Sequence, residues 1–135
     1  MSMSKEHSST FIGTGNSLIV NGTQCYAYSG PVNSGGSSSL PVTKMLTFHT
    51  PDKTIKVKIN VTNDVTSTTS DVSYKITFNG ITIMKQILRD EISEFGGVVN
   101  NLELVIPPNT LVECYADTAA DPHKFSWMVA GRVYG

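Results

Sequence analysis

Charged side chains are scarce in this chain of 135 residues. Only 16% of them are Asp, Glu, Lys or Arg, against about a quarter in an average soluble domain. The formal net charge is −1, so the chain lacks the basic surplus with which a dedicated nucleic-acid binder neutralises phosphates. Its polarity comes from Ser, Thr and Asn instead, and together with many Val this composition favours strands and turns over solvated helices.

Long apolar runs are also missing. No segment approaches the ~20 apolar residues of a membrane-spanning helix, and residues 1–7 lack the apolar core of a secretory signal peptide. We therefore expect no membrane span and synthesis in a cytoplasm. In such a reducing compartment the two cysteines, Cys25 and Cys114, are expected to be buried free thiols. They lie on an early and a late predicted strand, which can still be neighbours in space.

The length corresponds to a single domain. Residues 1–16 are polar apart from Phe11-Ile12, and we predict that they form a flexible N-terminal arm that a neighbouring molecule can order. Residues 17–135 then form the domain itself.

Strands are indicated by alternating apolar and polar residues. The clearest runs from Thr54 to Val61, where every second residue is β-branched and apolar and Lys56 and Lys58 stand between them. We expect these lysines to be the solvated face of that strand rather than a basic patch with Lys53. The other predicted strands are residues 17–20, 24–29, 43–50, 72–78, 81–84, 102–106, 111–116 and 124–134.

Two Asn-Gly pairs predict tight hairpins. Asn79-Gly80 stands directly between the alternating segments 72–78 and 81–84, and both turn positions require the positive φ that Asn and Gly tolerate. Asn21-Gly22 predicts a similar turn between the first two strands. The second of these strands would direct Cys25 and Ala27 to one face and two tyrosines to the other.

The remaining segments complete the predicted architecture. Residues 86–95 have apolar positions that suit two turns of one short helix, with an irregular loop as the alternative, and residues 29–41 form a Gly-, Ser- and Pro-rich loop. Eight to nine short strands predict an all-β protein. We expect an antiparallel β-sandwich of about eight strands, jelly-roll-like, although spacing alone leaves other sandwiches and barrels open.

Motifs for catalysis are weak. The three histidines lack the spacing of a local metal pair, and the chain has no Gly-x-Ser-x-Gly motif. Asp90, Glu91 and Glu94 are expected to be the solvated face of the short helix rather than paired carboxylates for glycoside chemistry. We therefore expect that the protein is not an enzyme, and we predict no catalytic residue, no cofactor and no metal ligand.

Aromatic side chains on predicted strands are the better candidates for binding. They form either a platform for a sugar or, more commonly on strands, core and interface positions. The set comprises Tyr26, Tyr28, Tyr115, Trp127 and Tyr134.

The C-terminal third resembles a known group of proteins. Residues 102–116 read LELVIPPNTLVECYA, and residues 125–135 read FSWMVAGRVYG. An Ile-Pro-Pro-x-Thr turn before a strand, followed by a last strand ending in Gly-Arg-Val-Tyr, is similar to the C-terminal half of small virion proteins of phages and other DNA viruses.

This resemblance implies a β-sandwich that decorates, caps or cements a capsid, or serves as a vertex, spike or fibre component. It also implies synthesis in the host cytoplasm, location in the virion, and other capsid proteins as partners. The net charge of −1 separately predicts no direct contact with nucleic acid. A homo-oligomer such as a trimer or pentamer would form through exposed tyrosines and the loop at 29–41. The alternative hypothesis is a monomeric carbohydrate- or receptor-binding β-sandwich module.

Overall fold

The computed structural model describes residues 18–34, 41–63, 72–88, 99–118 and 123–134, which form ten strands. The all-β class is confirmed. The predicted arm and residues 35–40 of the predicted loop lie outside the described residues. The strands are β1 (Ile19–Asn21), β2 (Gln24–Tyr28), β3 (Val32–Asn33), β4 (Lys44–His49), β5 (Thr54–Asn63), β6 (Val72–Phe78), β7 (Ile81–Leu88), β8 (Val99–Ile106), β9 (Leu111–Thr118) and β10 (Lys124–Tyr134).

The strands pair into two antiparallel sheets that form a sandwich. One sheet has six strands in the order β1-β2-β10-β5-β8, with β3 pairing alongside β10. The other has four strands in the order β4-β9-β6-β7. Each sheet presents one face to the shared core, so alternate residues along each strand are buried.

The strand order is that of a jelly roll. Strand β2 pairs with β10, β4 with β9, β5 with β8 and β6 with β7. Each of these antiparallel pairs encloses the next one in the sequence, and successive pairs alternate between the sheets. The chain therefore wraps like one long folded ribbon of eight strands, while β1 and β3 extend the larger sheet.

Both predicted hairpins are present. Asn79 and Gly80 have φ values of 51° and 85°, and Phe78 pairs with Ile81 across this two-residue turn. The first hairpin turns one residue later than predicted: Asn21 still pairs with Gln24, so the loop is Gly22-Thr23. Gly22 supplies the positive φ, at 65°, as turns that begin with Gly require.

The helix predicted over 86–95 is wrong where the structure describes it. Gln86–Leu88 continue strand β7 and pair with the first three residues of β6. The hairpin that starts at Asn79-Gly80 gives this backbone a partner strand, and that pairing outweighs the helical spacing of the side chains. Residues 89–95 lie outside the described residues. No helix capable of crossing a membrane occurs in the described part of the chain.

The core lies between the two sheets. The alternate residues of β5 predicted to face inward, from Ile55 to Val61, are all buried. Tyr74 from the four-stranded sheet packs edge-on against two rings from β10, with centroid distances of 5.9 Å to Phe125 and 6.1 Å to Trp127. Perpendicular ring packing of this kind stabilises beyond the burial of area, so these rings hold the two sheets together.

Buried polar side chains fix the connections where strands end. The Asp117 carboxylate is buried and accepts hydrogen bonds from the backbone N–H groups of Val42, at 2.6 Å, and Thr43, at 2.8 Å. Thr50 Oγ1 accepts one from the Thr110 N–H at 2.8 Å. Backbone groups that leave the sheet ladder thereby keep a partner away from water.

The two cysteines are buried free thiols, as the sequence predicts. Cys25 lies on β2 of the larger sheet, whereas Cys114 lies on β9 of the smaller one. Desolvation raises the pKa of both thiols, and Cys114 is completely buried. A thiol that stays protonated is a poor nucleophile, so both residues act as packing groups.

Candidate functional site

Exposed aromatic and cationic side chains gather on the solvent-facing side of the six-stranded sheet, which we call the outer face. Tyr26 and Tyr28 of β2 point away from the core because Cys25 and Ala27 alternate with them and are buried. Strand β10 lies beside β2 and directs its own exposed residues to the same side. The outer face is therefore a continuous surface across β2, β10 and β5.

An apolar strip, comprising Tyr26, Tyr28 and Met128, occupies one half of the outer face. Met128 is directly opposite Tyr28 on the neighbouring strand, and Ala130 is opposite Tyr26. The three side chains are exposed by 40%, 43% and 38%. A shallow depression of about 320 Å³ lies beside the strip and is lined by Asn21, Gln24, Cys25, Tyr26, Met128, Ala130 and Gly131.

A second depression, of about 230 Å³, lies on the β5 side of strand β10. We call it the cationic depression, because Lys56, Lys58 and Arg132 line it together with Glu103 and Tyr134. Arg132 is directly opposite Lys56 in the antiparallel pairing, and Lys58 is opposite Glu103 on its other side. None of the three cations makes an ion pair with a carboxylate among the described residues.

Small residues on β10 create the space between these two depressions. Ala130 and Gly131 line both of them. A β-carbon at Gly131 would lie 2.6 Å from the Val57 Cα, so no larger residue fits without moving strand β5. The close approach of the two backbones thus requires glycine, and on the outer face the small side chain of Ala130 leaves the sheet surface low at this point.

The exposed face of the four-stranded sheet has a different character, because Lys44 and Lys75 each have a partner there. Lys44 Nζ lies 2.7 Å from Glu113 Oε2, and this hydrogen bond and charge raise the pKa of Lys44. Lys75 Nζ lies 4.4 Å from the centre of the Tyr115 ring. Partial burial, assisted by the charge of Glu113, raises the pKa of Tyr115. Cation–π and ion-pair contacts of this kind are typical of a solvated sheet surface.

The five aromatic candidates do not form one platform. Trp127 is fully buried in the core, and Tyr115 is half-buried on the solvent side of the four-stranded sheet. Tyr26 and Tyr28 form part of the apolar strip, and Tyr134 lines the cationic depression. Sequence spacing identified the exposed tyrosines of β2, but it did not separate them from a core tryptophan.

Residues that would carry metal or acid–base chemistry are dispersed. His49 lies on β4, and His123 precedes β10; within the described ranges, no three His, Cys, Asp or Glu side chains are placed to hold a metal ion. His7 and the carboxylates Asp90, Glu91 and Glu94 lie outside the described residues.

Outer-face residues that the sequence did not single out include Gln24, Met128 and Arg132. Met128 and Arg132 do alternate along the last strand with the buried residues, which is a usable signal for exposure. Their partners are Tyr28 and Lys56, however, and both partnerships depend on strand order. In the observed order, β10 lies between β2 and β5, which the spacing of the residues alone did not establish.

Comparison with protein-family models gives no match, and comparison with curated protein sequences gives none either. Solved structures with a similar arrangement of strands include VP2 in a subviral particle of infectious bursal disease virus, with a TM-score of 0.46 and 13% identity over 84% of this chain and 34% of that one.

Two further similar structures are not viral. One is the insecticidal delta-endotoxin Cry8Ea1 from Bacillus thuringiensis, with a TM-score of 0.44 and 9% identity over 77% of this chain and 20% of that one. The other is the Podospora anserina GH26-CBM35 β-(1,4)-mannanase, with a TM-score of 0.42 and 9% identity over 79% of this chain and 28% of that one. This chain spans between 20% and 34% of the length of these three chains. Likeness at this level assigns no function.

Proposed function

We propose that the protein is a non-enzymatic structural component of a virus particle: a minor capsid, decoration or vertex or spike protein. In this proposal it assembles as a trimer or pentamer on the capsid, with other capsid proteins as neighbours. The observation that carries the proposal is the apolar strip, in which Tyr26, Tyr28 and Met128 are exposed together on adjacent strands.

The composition of the strip supports a protein contact. Tyrosine and methionine are enriched at interfaces, and contiguous exposed apolar groups on a soluble domain commonly mark contact surfaces. All three side chains stand on paired strands, so the surface is rigid before it meets a partner. A rigid surface loses little conformational entropy on association, which suits a protein that assembles in many copies.

The segments that resemble virion proteins are structural parts of the jelly roll. The Ile-Pro-Pro-Asn-Thr turn joins β8 to β9. The Thr50 hydroxyl donates a hydrogen bond to the Pro107 carbonyl oxygen and accepts one from the Thr110 N–H, each at 2.8 Å. The Gly-Arg-Val-Tyr ending is the end of β10, where Gly131 is required by the approach of β5. The resemblance therefore rests on residues with a structural role, which supports a shared architecture.

Light scattering after size exclusion, at several protein concentrations, tests the proposal. We expect a closed oligomer for the wild type and a monomer for a variant carrying Tyr26→Ser, Tyr28→Ser and Met128→Ser. The matched control carries Val42→Ser, Ile81→Ser and Ile83→Ser, which replace side chains exposed by 70%, 71% and 40% outside the outer face. It should keep the wild-type mass. A wild type that stays monomeric at all concentrations would contradict self-association.

A second candidate function is binding of a neutral sugar in the depression beside the strip. The specific observation is its lining: two amide side chains, Asn21 and Gln24, beside the Tyr26 ring. Amides that donate and accept hydrogen bonds next to an aromatic ring are suited to sugar hydroxyls and ring faces. Binding on a glycan array that disappears with Gln24→Ala, in a protein of monomeric mass, would favour this function over the first.

A further inference from the structure

We propose that the cationic depression binds the anionic groups of an acidic polysaccharide. Lys56, Lys58 and Arg132 would hold a sulfate or carboxylate of the saccharide, and Tyr134 would contact its sugar ring. This site is separate from the apolar strip. The inference therefore goes beyond the proposed self-association and does not depend on it.

The first argument is the repulsion built into the strand pairing. Arg132 and Lys56 are directly opposite on adjacent antiparallel strands, where β-carbons lie about 5 Å apart and like charges destabilise the sheet. Both side chains are exposed, and neither makes an ion pair among the described residues. An anion bound between them would convert this repulsion into two charge-assisted hydrogen bonds.

The second argument is the shape of the depression. Ala130 and Gly131 provide a low floor, and the third cation, Lys58, stands opposite Ala130 on strand β5. The volume of about 230 Å³ is below the 300–1,000 Å³ or so of sites that enclose a drug-sized ligand. It therefore suits one charged sugar unit of a longer chain, with the rest of that chain lying on the sheet surface.

The third argument separates a saccharide from a nucleic acid. Glu103 is directly opposite Lys58 and lines the same depression. Its carboxylate accepts hydrogen bonds from hydroxyl groups, which saccharide units carry and the backbone of DNA lacks. The exposed Tyr134 ring adds an apolar surface with a polar edge, and the whole chain carries a net charge of −1. Hydroxyl groups, an apolar ring face and anionic groups occur together in acidic polysaccharides.

The four-stranded sheet supplies a matched control. Lys75 and Lys85 are directly opposite each other, as Arg132 and Lys56 are. Lys75, however, is placed over the Tyr115 ring. A variant with Lys75→Gln and Lys85→Gln therefore also loses two positive charges that face each other across paired antiparallel strands, but it leaves the cationic depression unchanged.

Isothermal titration of the full chain with a heparin hexasaccharide tests the inference at low salt and near physiological salt. We expect wild-type binding to weaken with salt. Lys56→Gln with Arg132→Gln should reduce the affinity at least about tenfold, because two charge-assisted hydrogen bonds are lost. The Lys75→Gln, Lys85→Gln control should bind within about twofold of the wild type, since exposed charges outside a contact contribute little. Equal affinity for both double variants would overturn the proposal.

Other ligands distinguish the source of the anion. Tighter binding of the heparin hexasaccharide than of a hyaluronan hexasaccharide would indicate sulfate, and equal binding would indicate any anionic group on a sugar; both outcomes support the proposal. Inorganic sulfate binding as tightly as the hexasaccharide, or a short DNA duplex binding more tightly, would contradict it. Tyr134→Ser should weaken the saccharide but leave inorganic sulfate unchanged.

Two checks keep the result separate from folding and assembly. Lys56 and Arg132 are exposed, and replacing both relieves the repulsion between the paired strands. The double variant should therefore have a thermal midpoint equal to or slightly above that of the wild type, with the same Trp127 emission. The light-scattering mass of this variant should also be unchanged, because the apolar strip is intact. A failed titration with a normal oligomeric mass would reject the saccharide site alone.

Discussion

At Gly131 the backbones of β10 and β5 approach so closely that an added β-carbon would meet the Lys56 carbonyl oxygen and lie 2.6 Å from the Val57 Cα. Both contacts are with backbone atoms of a central strand, which cannot rotate away as a side chain would. We predict that Gly131→Ala lowers the free energy of unfolding by about 1–3 kcal/mol, the usual range for overpacking.

Urea denaturation followed by Trp127 emission measures this change. The control is Ala130→Ser on the same strand, which adds an atom on the outer face and should change the free energy of unfolding by less than about 0.5 kcal/mol. If Gly131→Ala were as stable as the control, the two strands would have to lie further apart than the structure shows.

The buried thiol of Cys114 should make the free energy of unfolding depend on pH in the alkaline range. Desolvation raises its pKa above the ordinary value of 9.0, with the charge of Glu113 adding to the effect. In the folded protein the thiol keeps its proton at a pH where the unfolded chain has lost it. The contribution of the buried thiol to the free energy of unfolding is therefore complete below about pH 9. As the pH rises above 9, this contribution is lost progressively, by at most about 1.4 kcal/mol per pH unit.

Cys114→Ala should lower the free energy of unfolding at pH 7, because it leaves a small cavity, and should reduce its decline above pH 9. Urea titrations at several pH values from 7 to 10.5 measure both effects. Tyr115 and Lys44 also have raised pKa values, so part of the alkaline decline should remain in the variant. An unchanged alkaline slope would show that Cys114 does not titrate on unfolding.

Among the elements, the β6–β7 hairpin makes the sharpest stability prediction. Asn79 has a φ of 51°, and its Oδ1 also accepts a hydrogen bond of 2.9 Å from the Leu111 N–H. The turn therefore reverses the chain and also holds the start of β9 through this hydrogen bond. Asn79→Gly should cost about 1 kcal/mol through the lost hydrogen bond.

Replacing both turn residues, with Asn79→Val and Gly80→Val, should cost several times more than Asn79→Gly, because a β-branched residue at positive φ carries roughly 1–2 kcal/mol of strain at each position. Thermal unfolding by circular dichroism compares the three proteins. A double variant with near-normal stability would mean that the turn does not determine the hairpin.

Local patterns were sufficient for most elements. The alternation in β5 and the Asn79-Gly80 turn depend on neighbours in sequence, and both were predicted from the residues alone. The helix predicted over 86–95 is wrong at Gln86–Leu88, because these residues pair with β6, a contact that the apolar spacing does not encode. A bulge at Met45, where Lys44 pairs with Tyr115 and Leu46 with Cys114, buries two successive residues of β4 and breaks its alternation.

For the whole molecule, the part that residue spacing left open is the order of the strands, although a jelly-roll-like sandwich was expected. Exposure of Tyr26 and Tyr28 follows from alternation in β2, but the apolar strip exists only because β10 brings Met128 beside Tyr28. The cationic depression likewise requires Arg132 and Lys56, which are 76 positions apart in the chain, to meet across β10 and β5. Contacts over such separations have no local signal in one sequence.

The two parts of the outer face support a division of roles on one sheet. The apolar strip would make the contact between copies, and the cationic depression beside it would remain open to a ligand. Each copy of an oligomer would then present one such depression, and binding of a polysaccharide with many anionic groups would gain from the effective concentration of neighbouring sites.

The methyl resonances of the methionines test the central claim, that the protein associates through the apolar strip. With 13C-labelled methionine methyl groups, spectra are recorded from dilute to concentrated protein. We predict that the Met128 resonance shifts or broadens as the mass rises, whereas those of Met45, buried in the core, and Met84, on the four-stranded sheet, do not change. An unchanged Met128 resonance in a sample whose mass increases would place the contact elsewhere and contradict the account.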